Sequence, residues 1–280
     1  MSTFRLSPQQ HTFVETFGFL VLPGLLQDRI AEIIAAFEAL WSNHGGGHGG
    51  KPHDGTARSC LVPFIDQSET LSALLDDDRV NGVFASLLGD DFQYLGSDGN
   101  FYVGDTGWHS DGPWPRPIRY YKMALYLDPV RRDSGALRIV PGSHRYGDSY
   151  AEALQKQIWK PKDNWSTEGR DVPCAALESN PGDVVIFNQG CKHASYGGSK
   201  RRRMFTMNCT SHHTPEQLPL IREEISGFAR FQVDHAYGEA MLRTATPARL
   251  RHLEQAIAQD GHLAALSAEH RRQHPESARG

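Results

Sequence analysis

Only four cysteines occur in the 280 residues, Cys60, Cys174, Cys191 and Cys209, and no two stand in a C-x-x-C step. Their wide spacing argues against a disulfide framework or a thiolate zinc site, and fits free thiols in a reducing compartment. Long apolar runs are missing as well. The longest, from Gly18 to Leu26, is interrupted by Pro23 and is far too short to span a bilayer. Met1 to Gln10 lacks the basic start, apolar stretch and small-residue cleavage site of a secretory leader, so the cytoplasm is the default location. Positive charge is not in surplus: 29 Lys and Arg against 33 Asp and Glu give a net charge of -4. The one basic cluster, Lys200-Arg201-Arg202-Arg203, is too short to argue for nucleic-acid binding. Neither a nucleic acid nor a membrane is an expected partner, and nothing in the sequence fixes an oligomeric state.

What is present suits one sizeable core. A hydrophobic share of 39% beside 22% charged residues is ordinary for a globular chain, and β-sandwiches of this length are often single domains. We find no internal repeat and no linker, so a single domain over 1–280 is expected. Ser7-Pro8 reads as an N-cap and first helical residue, opening a helix to about Thr16, and 19–22 reads as a short buried strand. From Asp28, Ile30, Ile33, Ile34, Phe37, Leu40 and Trp41 recur at helical spacing, and 68–89 carries a second such pattern. Between them 43–54 is so rich in glycine that a flexible loop is expected, a candidate lid over an active-site mouth. From Phe92 the texture changes to short aromatic and β-branched runs over 92–95, 100–103, 120–127, 137–140, 184–187 and 204–210. An insertion over 147–171, with a short helix at 151–159, and a helical C-terminal segment over 246–272 complete the chain. Helices first and strands after predict an α+β fold whose sheet part is a sandwich or jelly roll.

The chemistry concentrates in Trp108-His109-Ser110-Asp111 and in Gly190-Cys191-Lys192-His193. On a strand, residues two apart share a face, so His109 and Asp111 are expected side by side at a strand end. His193, delivered by another strand, then completes a three-point cap. Two imidazoles and one carboxylate with the opposite face open suit Fe(II), which keeps positions for a bidentate co-substrate and O2. A His2Asp zinc site is the competing metal reading, but the glutamate base of an H-E-x-x-H helix is absent. Gly45 to Lys51 satisfies G-x-x-x-x-G-K, yet Pro52 replaces the Ser or Thr of a phosphate-binding loop, and the stretch follows a helix rather than a strand.

Three further stretches join this pattern. Thr12 to Leu26, Ser134-Gly135-Ala136-Leu137-Arg138-Ile139-Val140-Pro141-Gly142-Ser143-His144, and Pro181-Gly182-Asp183-Val184-Val185-Ile186-Phe187 before His193 stand in order around His109-x-Asp111. Together they resemble the phytanoyl-CoA dioxygenase family, over roughly residues 8–211. The resemblance implies a double-stranded β-helix (jelly roll) with flanking helices, using Fe(II), 2-oxoglutarate and O2. It implies His109, Asp111 and His193 as iron ligands. It places the arginine that meets the far carboxylate of 2-oxoglutarate at Arg202, with Arg203 one step away as the alternative. A one-residue slip turns a side chain to the other face, so only one of the two can point inward. Ser195 matches a position that hydrogen-bonds the same carboxylate, while Asn100, Tyr102 and Lys122 lie on strands expected to line the cavity. His144 is structural in the family motif, and Arg201 reads as coating a solvated turn. Trp114, Tyr120 and Tyr121 are read as core packing, with a role as substrate walls second. His212-His213 reads as a partly exposed polar pair.

The activity so implied is oxidation, in the first place hydroxylation, of an unactivated C–H in a small-molecule metabolite or natural-product intermediate, with release of succinate and CO2. Asp111 argues against halogenation, because the related halogenases carry Gly or Ala there to admit chloride. The alternatives are a cupin-like metalloenzyme without 2-oxoglutarate, in which neither Arg202 nor Arg203 points inward, and a non-catalytic sensor or binding member of the family.

Overall fold

The computed structural model describes residues 3–112 and 117–280. Trp114, a candidate cavity wall in the sequence, lies outside the described residues. Ser7 caps the first helix reciprocally: its hydroxyl accepts from the Gln10 amide, and the Gln10 side chain accepts from the Ser7 amide. With Pro8 at the first turn this sets α1 (Pro8–Phe17), and Gly18 at φ 86° ends it. β1 (Phe19–Leu22), α2 (Ile30–Asn43) and β2 (Ser59–Leu61) follow.

The apolar spacing over 68–89 predicts one helix, but the chain forms two, α3 (Glu69–Ser72) and α4 (Asp78–Leu88). The break is at Asp77, in extended conformation, whose carboxylate accepts from the Arg79 amide. Aspartate competes with the helix backbone in an interior turn and stabilises an N-terminus, so a helix starts here instead of passing through.

β3 (Gln93–Gly96), β4 (Gly99–Tyr102), β5 (Thr106–His109), β6 (Tyr120–Tyr126) and β7 (Leu137–Ile139) come next. The insertion carries α5 (Ser149–Gln157) and α6 (Pro161–Trp165) and leads to β8 (Ala175–Leu177), β9 (Val184–Asn188), β10 (His193–Ser195) and β11 (Arg202–Thr210). The expected C-terminal helical segment is three short helices, α9 (Pro247–Arg251), α10 (Glu254–Gln259) and α11 (Leu263–Gln273), with Gly261 between the last two. Before them stand α7 (Leu218–Ser226) and α8 (Glu239–Arg243), which the sequence pattern did not reveal.

The glycine-rich stretch over 43–54, expected as a flexible loop, makes tertiary contacts through its histidines. His48 is buried and its ring nitrogens face the carbonyls of Cys60 and Ser277, while His53 bonds Ser59 and the Lys200 carbonyl. Side chains thus supply the tertiary hydrogen bonds that a glycine backbone has no regular ladder to provide.

The strands form two antiparallel sheets. The larger runs β1-β9-β6-β11-β4-β2, with β3 also pairing β11; the smaller runs β5-β10-β7-β8. They enclose the jelly-roll interior, where Ala124, Tyr126, Val185, Phe187 and Met204 of the larger sheet meet Leu137, Ile139 and Leu177 of the smaller. The other face of the larger sheet, with Tyr121, Met123, Leu125, Phe205, Met207 and Cys209, packs on Phe37, Trp41, Val83 and Phe84 of α2 and α4. Tyr120 and Tyr121 are buried members of this second core. From Lys122 onward in β6, and along β11, even-numbered residues therefore face the interior and odd-numbered ones the helices, while Tyr120 at the start of β6 joins the helix-side core.

Asp77 also pairs with Arg29 and Arg79. Burial pushes its carboxyl up, but the Arg79 and Arg29 hydrogen bonds outweigh this and hold its pKa at about 2, below the ordinary 3.8. A pKa depressed on folding contributes stability above the ordinary value and loses it as pH falls through the folded one. Asp77→Ala is expected to cost roughly 1–2 kcal/mol at pH 7. Urea unfolding measures it, and the gap to wild type should shrink as pH drops from about 3.8 toward about 2.

Candidate metal centre

β5 and β10 pair antiparallel with His109 directly across from His193. Their rings lie 4.2 Å apart at 53°. Nδ1 of His109 faces the Gly107 carbonyl at 2.8 Å, and Nδ1 of His193 faces the Cys191 carbonyl at 2.9 Å. A carbonyl only accepts, so each ring carries a proton on Nδ1 and turns Nε2 toward the centre. Burial brings the His193 pKa down to about 4 against the pull of Asp111, so that ring is neutral at pH 7.

Asp111 does not reach this point by strand alternation. β5 ends at His109, and Asp111 sits in the following bend, where its amide donates to the Gln189 carbonyl at 3.0 Å. Its Oδ1 lies 3.8 Å from His109 Nε2 and 3.7 Å from His193 Nε2, too far for hydrogen bonds. Both spacings fall within the roughly 4.2 Å that two ligands about 2.1 Å from one ion can span. All three donor atoms lie within 4.8 Å of one another, and no other such cluster occurs among the described residues. Burial alone would raise the Asp111 carboxyl, but the Lys122 ammonium, at 2.6 Å from Oδ2, holds it well below the ordinary carboxylate range. Neutral imidazoles and an ionised carboxylate are the donor set that a divalent ion such as Fe(II) requires.

The period of β11 decides which of the neighbouring arginines faces the interior. Arg203 faces the helices and is engaged by Asp128, Glu38 and the Leu127 carbonyl. Arg202 faces the interior, is only 4% exposed, and has no hydrogen-bond partner for Nε or Nη1. Gly135 and Gly198 close around it: a Cβ on either would fall 1.9 Å and 2.6 Å from Nη1. Its guanidinium lies 5.2 Å from the Tyr102 ring centre, with Arg58 at 4.3 Å from the same centre. A guanidinium does not shed its proton, and a buried charge with open donors costs several kcal/mol unless an anion meets it. The far carboxylate of 2-oxoglutarate fits that need, bidentate and planar.

The remaining predicted residues divide. Ser195 is buried on β10 and donates to the Gly135 carbonyl at 3.1 Å, on the wall of the Arg202 chamber. Asn100 is buried, but its amide oxygen accepts from Arg58 Nε at 2.7 Å and its nitrogen donates to Asp98 at 2.6 Å. Both ends are used, so Asn100 orders Arg58 instead of presenting a free group. His213 is buried with both ring nitrogens unbonded, a correction to its reading as partly exposed; its neighbour His212 is exposed. Arg201 is exposed, as expected of a turn residue.

The sequence reading missed Arg58 and Asp98, which pair at 3.0 Å beside Asn100 and Tyr102. Asp98-Gly99 has the look of a hairpin turn, which masked the carboxylate. Gln189, just past β9, and Asn208 of β11, joined at 2.9 Å, also went unread.

The model of the phytanoyl-CoA dioxygenase family matches residues 14–204. The chain belongs to this family. Its members are Fe(II)- and 2-oxoglutarate-dependent oxygenases, which makes the chain a dioxygenase with iron, 2-oxoglutarate and O2 as its cofactor set. No curated protein sequence matches the chain. Among solved structures, the carbocyclase SnoK of nogalamycin biosynthesis, described as non-haem and α-ketoglutarate-dependent, is 19% identical with a TM-score of 0.58, over 75% of this chain and 86% of its own. HygX from Streptomyces hygroscopicus, solved with nickel and 2-oxoglutarate, is 16% identical with a TM-score of 0.59, over 74% and 88%. Apo EctD from S. alaskensis is 22% identical with a TM-score of 0.57, over 75% and 79%. These likenesses carry the fold, a jelly-roll core with flanking helices. No helix among the described residues is long and apolar enough to cross a membrane.

The Arg202 chamber generates a test of its own. Gly135 has φ 93°, and alanine there would both strain the backbone and collide with Nη1. Gly135→Ala is expected to cost roughly 1–3 kcal/mol in urea unfolding. Gly104→Ala, also at positive φ but with open space around it, should cost only the backbone share.

Proposed function

We propose that this chain hydroxylates an unactivated C–H of a small-molecule substrate, consuming 2-oxoglutarate and O2 and releasing succinate and CO2. In this reading His109, Asp111 and His193 hold the iron, and Arg202 anchors the co-substrate. The carrying observation is Arg202, a buried guanidinium with two open donors in the same interior as a His-Asp-His face. A cupin-like enzyme without 2-oxoglutarate has no use for such an anchor.

Bound here, iron with 2-oxoglutarate and O2 supplies the oxidising power; the chain supplies placement and dryness. The Gly107 and Cys191 carbonyls fix the two rings so that both Nε2 atoms face one point. Arg202 orients the co-substrate by its far carboxylate, with Ser195 and Tyr102 at the chamber wall. Phe187 packs edge-on against the His193 ring at 5.0 Å and keeps water from that side. The insertion meets the centre through Gln155, which donates to the Gly190 carbonyl, and through Trp108, which donates to the Gly169 carbonyl. We assign the selection of substrate to this insertion, whose Tyr150 and Trp159 are exposed aromatics.

Anaerobic titration of the apo-protein with Fe(II) and then 2-oxoglutarate should produce the weak visible band of the chelate. His193→Ala should abolish it. Arg202→Ala should raise the 2-oxoglutarate needed for half-saturation about 30-fold or more, the scale of removing one partner from a buried charge pair. Arg203→Ala, on the opposite face, should leave that concentration unchanged. Iron binding without a band in the wild type would sink the 2-oxoglutarate reading.

A further inference from the structure

We propose that Lys122 is a positioning residue that holds Asp111 by Oδ2, so that Oδ1 alone faces the two imidazoles. The inference rests on Asp111 being a metal ligand and adds how its carboxylate is kept to one oxygen.

The two oxygens of Asp111 have different company. Oδ1 faces both Nε2 atoms, at 3.8 Å and 3.7 Å, while Oδ2 meets the Lys122 ammonium at 2.6 Å. Among the described residues this is the only ion pair that Asp111 makes with a lysine or arginine. Lys122 enters from β6, in the larger sheet, and reaches across the interior to a residue that follows β5 of the smaller sheet.

Lys122 is not placed there to neutralise a stray carboxylate elsewhere. The other carboxylate that bears on it, Asp98, already pairs with Arg58 at 3.0 Å and accepts from Asn100 at 2.6 Å and from Thr206. The series Arg58, Asp98, Lys122, Asp111 alternates in sign, and its last cation bears on the ligand.

The physical consequence concerns vacancies on the ion. A carboxylate binds a cation through one oxygen or through two. Three protein ligands leave about three of six positions, and a bidentate co-substrate plus O2 need all of them. If Asp111 closed on the ion with both oxygens, one position would be lost. A fixed ammonium on Oδ2 prevents this, at some cost in metal affinity because a cation stands near a dication.

Mn(II) tests this without turnover. Its affinity is read from the free-ion EPR signal, its coordinated waters from proton relaxation, and 2-oxoglutarate binding from calorimetry on the Mn(II) protein. With Lys122→Met the expected result is Mn(II) binding several-fold tighter, coordinated water falling from about three to about two, and 2-oxoglutarate binding about tenfold weaker. A merely structural role would weaken both affinities and leave the water count alone. Lys122→Gln, smaller and polar, gives the same three readouts if the methionine variant does not fold. A water count that stays near wild type overturns the proposal, and if 2-oxoglutarate nonetheless weakens, Lys122 touches the co-substrate directly. Wild type that binds no Mn(II) overturns the metal centre and this inference together, whereas wild-type binding with unaltered Lys122 variants overturns this inference alone.

Discussion

The antiparallel pairing of β5 with β10 is the contact on which the rest of the centre depends. It sets His109 across from His193, and no later adjustment of rotamers could bring those imidazoles together from a slipped register. Everything else converges on that edge. The bend after β5 turns Asp111 back toward the rings, and the Gln189 carbonyl, just past β9, holds the bend by accepting from the Asp111 amide. β10 is only His193–Ser195, yet it is flanked by β5 and β7 on its two sides, so its backbone is committed along its length. A short strand between two neighbours is a stiff mount for an imidazole.

Charge inside the sandwich is the second theme. Even-numbered residues of β6 and β11 place Lys122 and Arg202 in the interior, where a β-sandwich ordinarily puts aliphatic side chains. Lys122 is compensated by carboxylates on either side; Arg202 keeps open donors. That contrast separates the roles of two cations on neighbouring strands. One is satisfied by the protein itself and, in the role proposed for it, shapes a ligand; the other keeps donors open to an anion.

Much of this was legible in the residues. The α+β order, the strand-rich second half and the His-Asp-His set all follow from spacing and from the motifs around Gly135 and Asp183. Which of Arg202 and Arg203 faces the interior needed the register of β11, which sequence leaves ambiguous by one residue. Asp111 comes beside the two imidazoles for another reason than the one the sequence offered: it lies on a bend, so alternation along a strand does not apply. Arg58 and Asp98 are 40 positions apart and meet only through the pairing of β2 with β4. The histidines of the glycine-rich stretch bond residues as distant as Ser277, and such partners leave no trace in local composition. Asp77 shows the converse, a helix break written locally and overlooked because the apolar spacing ran through it.

The two sheets contribute different halves of the centre. Both histidines belong to the smaller sheet and Arg202 to the larger, and packed sheets stand about 10 Å apart. With the roles proposed for these residues, the gap across the sandwich becomes a caliper. A keto diacid shorter by one methylene would reach the chelate or the guanidinium but not both, and a longer one would have to buckle. On those roles, length discrimination among co-substrates would be set by inter-sheet packing at Phe187, Tyr126 and Ile139, residues that need never touch the ligand.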